Sequence, residues 1–415
     1  MTNKLPARAL FYAIIVSLFV ALISSAMLLS SYHQHILLGH YQQKERLIYN
    51  CESGVALALG AQQDSIAPIT IDLFGQQSDS VRIEQRPWGL LDVVSVQSWL
   101  GQGNRKDSIV QSFFVGKQPP AYALTLSEGT EPLYVCGNTH IVGDAFLPRE
   151  GVERGFIHRV SGKPYFREKL IFGKKEIVKR VSNLHLKARF EQLDALKNVT
   201  TNFLVEGDSI VQPFHQPTRV LVEDQWDIHH GVLKGNVLVV GTQKVVIGAS
   251  AILEDVLILA PEITIESGVQ GHFQAFAWDS LRVEANVRLH YPSVLGLLPY
   301  QERTTFSPSL TIEEGSEVTG IVIAPSFQYN TYKTKITIEQ NALVKGQVWV
   351  NGLLQHKGGV YGSVFCDEFL LQTPAAVYEN YLLDAIINRK QLPAYYLAPL
   401  ILGESSNKHI LKYIE

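Results

Sequence analysis

"VIGASAILED" (246–255), "TIESGVQG" (264–271) and "RVEANVRLHY" (282–291) place Ile247, Ile265 and Val283 eighteen positions apart. A regular period of that length matches one coil of a β-solenoid, in which inward side chains stack on their equivalents in the next coil. The pattern returns in "TIEEGSEVTG" (311–320) and "TIEQNALVKG" (337–346). Each has an aliphatic residue, a second six positions later (Val318, Val344) and glycine two beyond that (Gly320, Gly346). "YVCGNTHIVG" (134–143) puts Val135, Ile141 and Gly143 in the same slots. Glycine, Asn and Asp turn the corners, where the backbone needs dihedrals that other residues resist.

The gaps of 29 and 26 residues between Val283, Ile312 and Ile338 exceed one coil and hold "PYQERTTFSPS" (299–309) and "SFQYNTYKTK" (326–335). Loops inserted on one face of a solenoid are often its recognition surface. Their aromatic residues Tyr300, Phe306, Phe327, Tyr329 and Tyr332 are therefore candidate partner contacts. The alternative is that these loops pack back on the coils.

Residues 9–31, "ALFYAIIVSLFVALISSAMLLSS", carry no charge and are long enough to cross a hydrocarbon core of about 30 Å. Lys4 and Arg8 precede the run and the next charged side chain is Lys44, so the positive-inside rule places the N-terminus in the cytoplasm. A cleaved signal peptide ending near Ser24-Ser25-Ala26 is the competing reading. No proline interrupts the chain between Ala7 and Gln63, and Leu47, Ile48, Cys51, Val55, Ala58 and Leu59 form one stripe at helical spacing. The apolar helix is expected to continue as an amphipathic stem.

A charge-poor membrane helix prolonged into a stem with "CESGVALAL" (51–59) resembles the PilX-type minor pilins and the K-type pseudopilins of type II secretion, over about the first 60 residues. The resemblance implies an inner-membrane protein that associates with other envelope, secretion or pilus assembly proteins, with self-association through the stem. Glu52 would then face a partner. As a catalytic acid it lacks a second carboxylate or a histidine at helical spacing. The chain has neither a glycine followed by a Phe-Thr-Leu-Ile-Glu-like stretch nor a glutamate within the apolar segment.

The expected fold class is mainly β, with six further divisions. Residues 1–8 form a cytoplasmic tail, 9–31 a transmembrane helix, 32–63 an amphipathic helical stem and 64–127 a small antiparallel β domain. Residues 128–371 form a β-solenoid with a lateral insertion at about 149–212, and 372–415 a C-terminal helical cap and tail. The solenoid stretch resembles the polymer-forming bactofilin-like β-helices over about residues 245–371. "IGASAI" (247–252) shares part of the hexapeptide-acyltransferase pattern, without its regular continuation. In the insertion, "NLHLKARFEQLDALKNV" (183–199) reads as a helix, and the positive cluster from Lys169 to Lys187 reads as a solvated face. The cap rests on "TPAAVYENYLLDAIINRKQLP" (373–393). Thr373 would start a helix with proline in its first turn, Val377, Tyr381, Leu382, Ala385 and Ile386 would form its stripe, and Pro393 would end it.

Chemistry has little support. With 36 basic against 39 acidic residues, nothing favours nucleic acid as a partner. Cys51, Cys136 and Cys366 follow no metal-ligand spacing, so no metal site or cofactor is expected, and a Cys136–Cys366 disulfide stays open. No GxSxG elbow or phosphate-cradling GxxxxGK[ST] occurs. "VEDQWDIHHG" (222–231) holds Glu223, Asp224, Asp227, His229 and His230, which could bind sugar or Ca²⁺ in a carbohydrate-binding or carbohydrate-cleaving solenoid. A polar strand leading into the regular coils explains the same residues, and the expectation is a non-enzymatic scaffold with no catalytic residues.

Overall fold

The structure is a computed structural model. It describes residues 7–61, 67–75, 79–101, 108–127, 129, 131–157, 160, 162–167, 169–172, 184–198, 209–298, 307–326, 333–404 and 407–414. The fold is mainly β with one long N-terminal apolar helix. The chain divides into two units, one of residues 1–57, 69–83 and 96–110, the other of 58–68, 84–95 and 111–415.

In the first unit, helix α1 spans Ala7–Gly60 without a break, about 81 Å at 1.5 Å per residue. Its most apolar window has a mean hydropathy of 2.4 and none of it is buried, so α1 is long and apolar enough to cross a membrane. The stripe read in the sequence is divided. Leu47, Cys51, Val55 and Ala58 are buried, whereas Ile48 is 40 % exposed. Arg46 and Asn50 reach the fully buried Asp79, Arg46 through both Nε and Nη2 and Asn50 through Nδ2 at 2.7 Å. Ser98 donates to the Leu47 carbonyl at 2.8 Å. Gly54 lies so close to the strands that a Cβ there would stand 2.5 Å from Val81 Cγ1 and 2.6 Å from Val96 Cγ1. The glycine of "CESG" is thus a requirement of packing. Strand Ile69–Asp72 pairs antiparallel with residues 80–83 of Asp79–Trp88.

In the second unit, successive passes of the chain lay parallel strands on one another in three register-aligned series. The first series begins with Ser209–Gln212 and Val232–Gly235 and takes in Leu253, Gly271, Leu289, Val318, Val344 and Val360. The second joins Leu238, Leu257, Gln274, Val294, Ile321, Gln347 and Ser363. The third joins Ile247, Ile265, Val283, Ile312, Ile338 and His356. The aliphatic residues picked out by their period are therefore direct register partners, each fully buried. Burying each such side chain stabilises the fold by about 1.5–3 kcal/mol.

Glycine at the third slot follows from the same stacking. A Cβ on Gly346 would lie 1.9 Å from the Gly320 carbonyl oxygen, and one on Gly362 1.8 Å from that of Gly346. Both residues have positive φ, 150° and 157°.

Apart from Gln274, Gln347 and Ser363, the strands of the second series are buried in apolar clusters on both sides. Val239, Ile258, Ala275, Leu295, Val322, Val348 and Val364 belong to one buried cluster and Leu238, Leu257, Phe276, Val294, Ile321, Trp349 and Phe365 to another. The outer cluster also contains Trp88, Leu90 and Phe114, Phe190 of helix α2 (Leu184–Ala195), and Tyr396 and Leu402 from the C-terminal segment. Helix α2 forms where the sequence pattern placed it. Its Arg189 donates to the Gly89 and Leu91 carbonyls at 3.2 and 2.9 Å and to Asp92 at 2.8 Å.

Spatial order departs from chain order. Strand Gly359–Gln372 pairs through Val364–Cys366 with Leu124–Leu126, and through Gly359 and Val360 with Ile386–Asn388. Ile386–Asn388 in turn pairs with His140–Val142, which pairs with Tyr165–Arg167. Tyr381–Leu383, Leu133–Cys136 and Val152–Arg154 form a three-stranded sheet. The copy at Val135, Ile141 and Gly143 thus stacks beside the last passes of the chain. Tyr165–Arg167 and Leu170–Phe172, from the segment read as a lateral insertion, belong to the stacked strands. So does Leu124–Leu126, from the segment read as a separate small domain.

The expected C-terminal cap is not helical. Val377–Glu379, Tyr381–Leu383 and Ile386–Asn388 are short strands, followed by one 3₁₀ turn at Arg389–Gln391. Asn380 and Asp384 adopt left-handed φ of 56° and 53° and break the backbone every fourth residue. That spacing imitates a helical stripe. Ala398–Pro399 and His409–Ile414 pair antiparallel with Ser108–Lys117 instead of covering an end.

Candidate functional site

Glu52 is exposed on α1, one residue from buried Cys51 and two from Gly54. The same stretch of helix carries an open groove of about 540 Å³ lined by Gln42, Glu45, Arg46, Tyr49, Asn50 and Phe74. Tyr300, Phe306, Phe327, Tyr329 and Tyr332 lie outside the described residues. Their loops nonetheless have a common root, since both span the step from the second series to the third. One leaves after Arg288–Leu297 and returns at Ser309–Ile312, and the other leaves after Glu317–Ala324 and returns at Thr334–Ile338.

A polar ladder marks that corner in the neighbouring passes. Ser127 donates to Asp367 at 2.8 Å, and Asn351 donates to the same carboxylate oxygen at 3.5 Å. Thr334 donates to the Asn351 carbonyl at 3.2 Å and Trp349 Nε1 to its side-chain oxygen at 3.4 Å. Lys333 pairs with Glu368. Burial pushes the Asp367 carboxyl above its ordinary range, against the Ser127 and Asn351 hydrogen bonds that pull it down. The ladder can hold the corner rigid and present one ion pair beside the loop that ends at Lys333. Its sequence signal is a polar residue directly after each apolar run: Ser127 after "LTL", Asn351 after "VWV" and Asp367 after "VFC".

A second cluster joins the C-terminal strand to the parallel stack. Lys412 Nζ lies 2.6 Å from Asp255 Oδ2 and 2.6 Å from His272 Nε2, while His272 stands 3.5 Å from Asp255 Oδ1. An ammonium only donates, so in this contact the imidazole Nε2 is the acceptor. Asp255 is held by Trp88, which donates to its carbonyl at 2.8 Å. No sequence spacing pointed to this cluster, because its members lie 140 and 157 residues from Lys412.

The carboxylates considered for sugar or Ca²⁺ do not converge. Glu223, Asp224, Asp227, His229 and His230 are all exposed. Asp224 accepts from Thr242 of the next pass at 2.6 Å, and His229 faces Glu266 two passes on at 3.4 Å. Among the described residues, no group of three or more His, Cys, Asp and Glu is placed to hold a metal. The three cysteines are buried and free, and burial raises Cys136 and Cys366 above the ordinary thiol range.

No family model, curated protein or solved structure matches the chain.

Proposed function

We propose that this chain is a non-enzymatic, membrane-anchored scaffold or assembly component of a cell envelope, pilin-like in its stem, with parallel windings that make a β-solenoid. The reading rests chiefly on α1, where an exposed apolar half runs without a break into a half fastened to a sheet through Asp79, Leu47 and Gly54. Such a helix tethers a folded body to a bilayer. In this reading the N-terminus is cytoplasmic, as the Lys4 and Arg8 flank suggests. The folded units are then periplasmic or extracellular, and Glu52 and the aromatic loops at 300–306 and 327–332 contact other envelope or secretion and pilus proteins. The rigid corner ladder beside Lys333 supports a recognition role for the second loop.

The test uses the full chain in a bacterium with two membranes. The protein is expected in the inner-membrane fraction after alkaline washing, with protease added outside the cytoplasm degrading everything beyond α1. Purified protein should cleave no polysaccharide in a broad screen, and Asp224→Ala with Asp227→Ala should leave cellular function intact. Loss of function from those two changes, with folding preserved, overturns the scaffold reading.

A further inference from the structure

The strands from 377 to 388 lie between two parts of their own chain. On one side Ile386 and Ile387 pair with Gly359 and Val360, and on the other Ile386–Asn388 pairs with His140–Val142. Tyr381–Leu383 likewise pairs with Leu133–Cys136, while Asn380 donates to the Phe369 carbonyl at 2.7 Å and accepts from Tyr134 at 2.8 Å. The segment therefore fills a slot whose walls are the strands Leu133–Cys136 and His140–Val142 on one side and Gly359–Gln372 on the other.

The join is made of short pairings. Leu343–His356 and Gly359–Gln372 share ten register pairs, whereas Gly359–Gln372 shares two with Ile386–Asn388, three with Leu124–Leu126 and three, antiparallel across the turn, with Val377–Glu379. Polar atoms at this join lack partners among the described residues: His356 Nδ1 and Thr125 Oγ1 are buried with no hydrogen bond. Only a tight turn precedes the segment, closed by Thr373 N–H donating to the Ala376 carbonyl at 2.9 Å and Ala376 N–H donating to Thr373 Oγ1 at 3.0 Å.

We propose that residues 377–414 form an exchangeable arm, and that a second copy of this chain receives it in the same slot, giving a closed two-fold dimer. Every contact of the arm re-forms in the exchanged state, because the slot in the second copy has the same sequence. Tyr396 meets Gln347, Lys412 meets Asp255, and Ile386 meets His140, each between chains instead of within one. The single structural change is the opening of the 373–376 turn, which is why exchange of an identical element is a low-cost route to a dimer. This association is independent of any contact between stems.

Cross-linking of the full chain in detergent tests it. One tagged copy carries Ile386→Cys and a co-expressed second copy carries His140→Cys, and a short bismaleimide joins them; the three native cysteines are buried. The expected result is a denaturation-resistant band at twice the 46.3 kDa of one chain, absent when either variant is expressed alone. Asn388→Cys with Val142→Cys, the next aligned pair but one on the same strands, should behave alike. A chain carrying both cysteines reports whether its own arm occupies its own slot. Intramolecular linkage there, with no linked dimer in the mixed sample, overturns the proposal. So does failure of both pairs to link at all, since the arm is then out of the slot. Dimers held only through the stem would be seen by light scattering yet give no cross-link at these positions.

Discussion

The passes from 219 to 372 and the seam at 124–172 use the same strand geometry under different chain connectivity. Within the passes, each strand finds its partner a few tens of residues along the chain, and pairing runs to ten aligned residues between Leu343–His356 and Gly359–Gln372. At the seam, Val364 meets Leu124 across 240 residues, and pairing shrinks to three. Closing a longer loop costs more chain entropy before any contact forms. The difference teaches that strand pairing at the seam depends on a third element, the arm at 377–388, where the regular passes pair directly with one another.

The largest expected effect separates the two regions at their shared glycine slot. Gly346→Ala puts a methyl group against the backbone oxygen of Gly320, which cannot move without breaking the ladder. A loss of about 3 kcal/mol or more is expected. Gly143→Ala, at a φ of 127°, meets the Cβ atoms of Ala123 and Arg389 at 2.8 and 2.9 Å and no backbone oxygen nearer than these, and should cost less, about 1–2 kcal/mol. Urea unfolding of the detergent-solubilised chain measures both. Equal losses would mean that the seam is as rigid as the passes.

Acid should weaken the seam next. His356 is fully buried, its Nε2–H donating to the Ile386 carbonyl at 3.2 Å, and burial holds its pKa down from 6.5 to about 4. The folded state therefore binds the proton less readily than the unfolded chain. Its contribution is complete above about pH 6.5 and is lost as pH falls through about 4. The swing is on the order of 3 kcal/mol. His356→Leu should flatten the fall in unfolding midpoint between pH 7 and pH 4.5. An unchanged slope would place the acid sensitivity elsewhere.

The smallest effect concerns the corner. Asp367 has a raised pKa in the folded state, so its favourable contribution exists below the ordinary carboxylate range and disappears as pH rises through the raised value. Asp367→Asn keeps an acceptor for Ser127 and removes the buried charge. The variant should be as stable as the parent or slightly more so at pH 7, and differ least at low pH. A clear loss of stability at pH 7 would show that the carboxylate charge itself holds Ser127 and Asn351.

Much of the fold was legible because one physical constraint writes itself into the chain at a fixed interval. Ile247, Ile265, Val283, Ile312 and Ile338 must be apolar to stack, and Gly320 and Gly346 must lack a side chain where a neighbouring oxygen sits. The continuous apolar runs "VLVV" (237–240) and "LILA" (257–260) lie in strands buried on both sides. Read for their period alone, they did not announce the helix and sheet residues that cover them. The C-terminal strands were missed because left-handed breaks at Asn380 and Asp384 give strands the spacing of a helix. For the candidate site, the loop roots were legible. Asp367, Ser127 and the Asp255, His272 and Lys412 cluster were not, since their partners are brought together across long stretches of chain.

The sequence by itself determined the apolar helix, the repeating pass and the positions where only glycine fits, because these depend on neighbours at short and regular separation. Tertiary structure alone decided which pass lies beside which, that the arm enters between 359–372 and 133–142, and that Lys412 and His272 meet at Asp255. Pairing between distant strands is set by shape and hydrogen bonding in the assembled fold, and any apolar strand of the right length satisfies the local rules equally well.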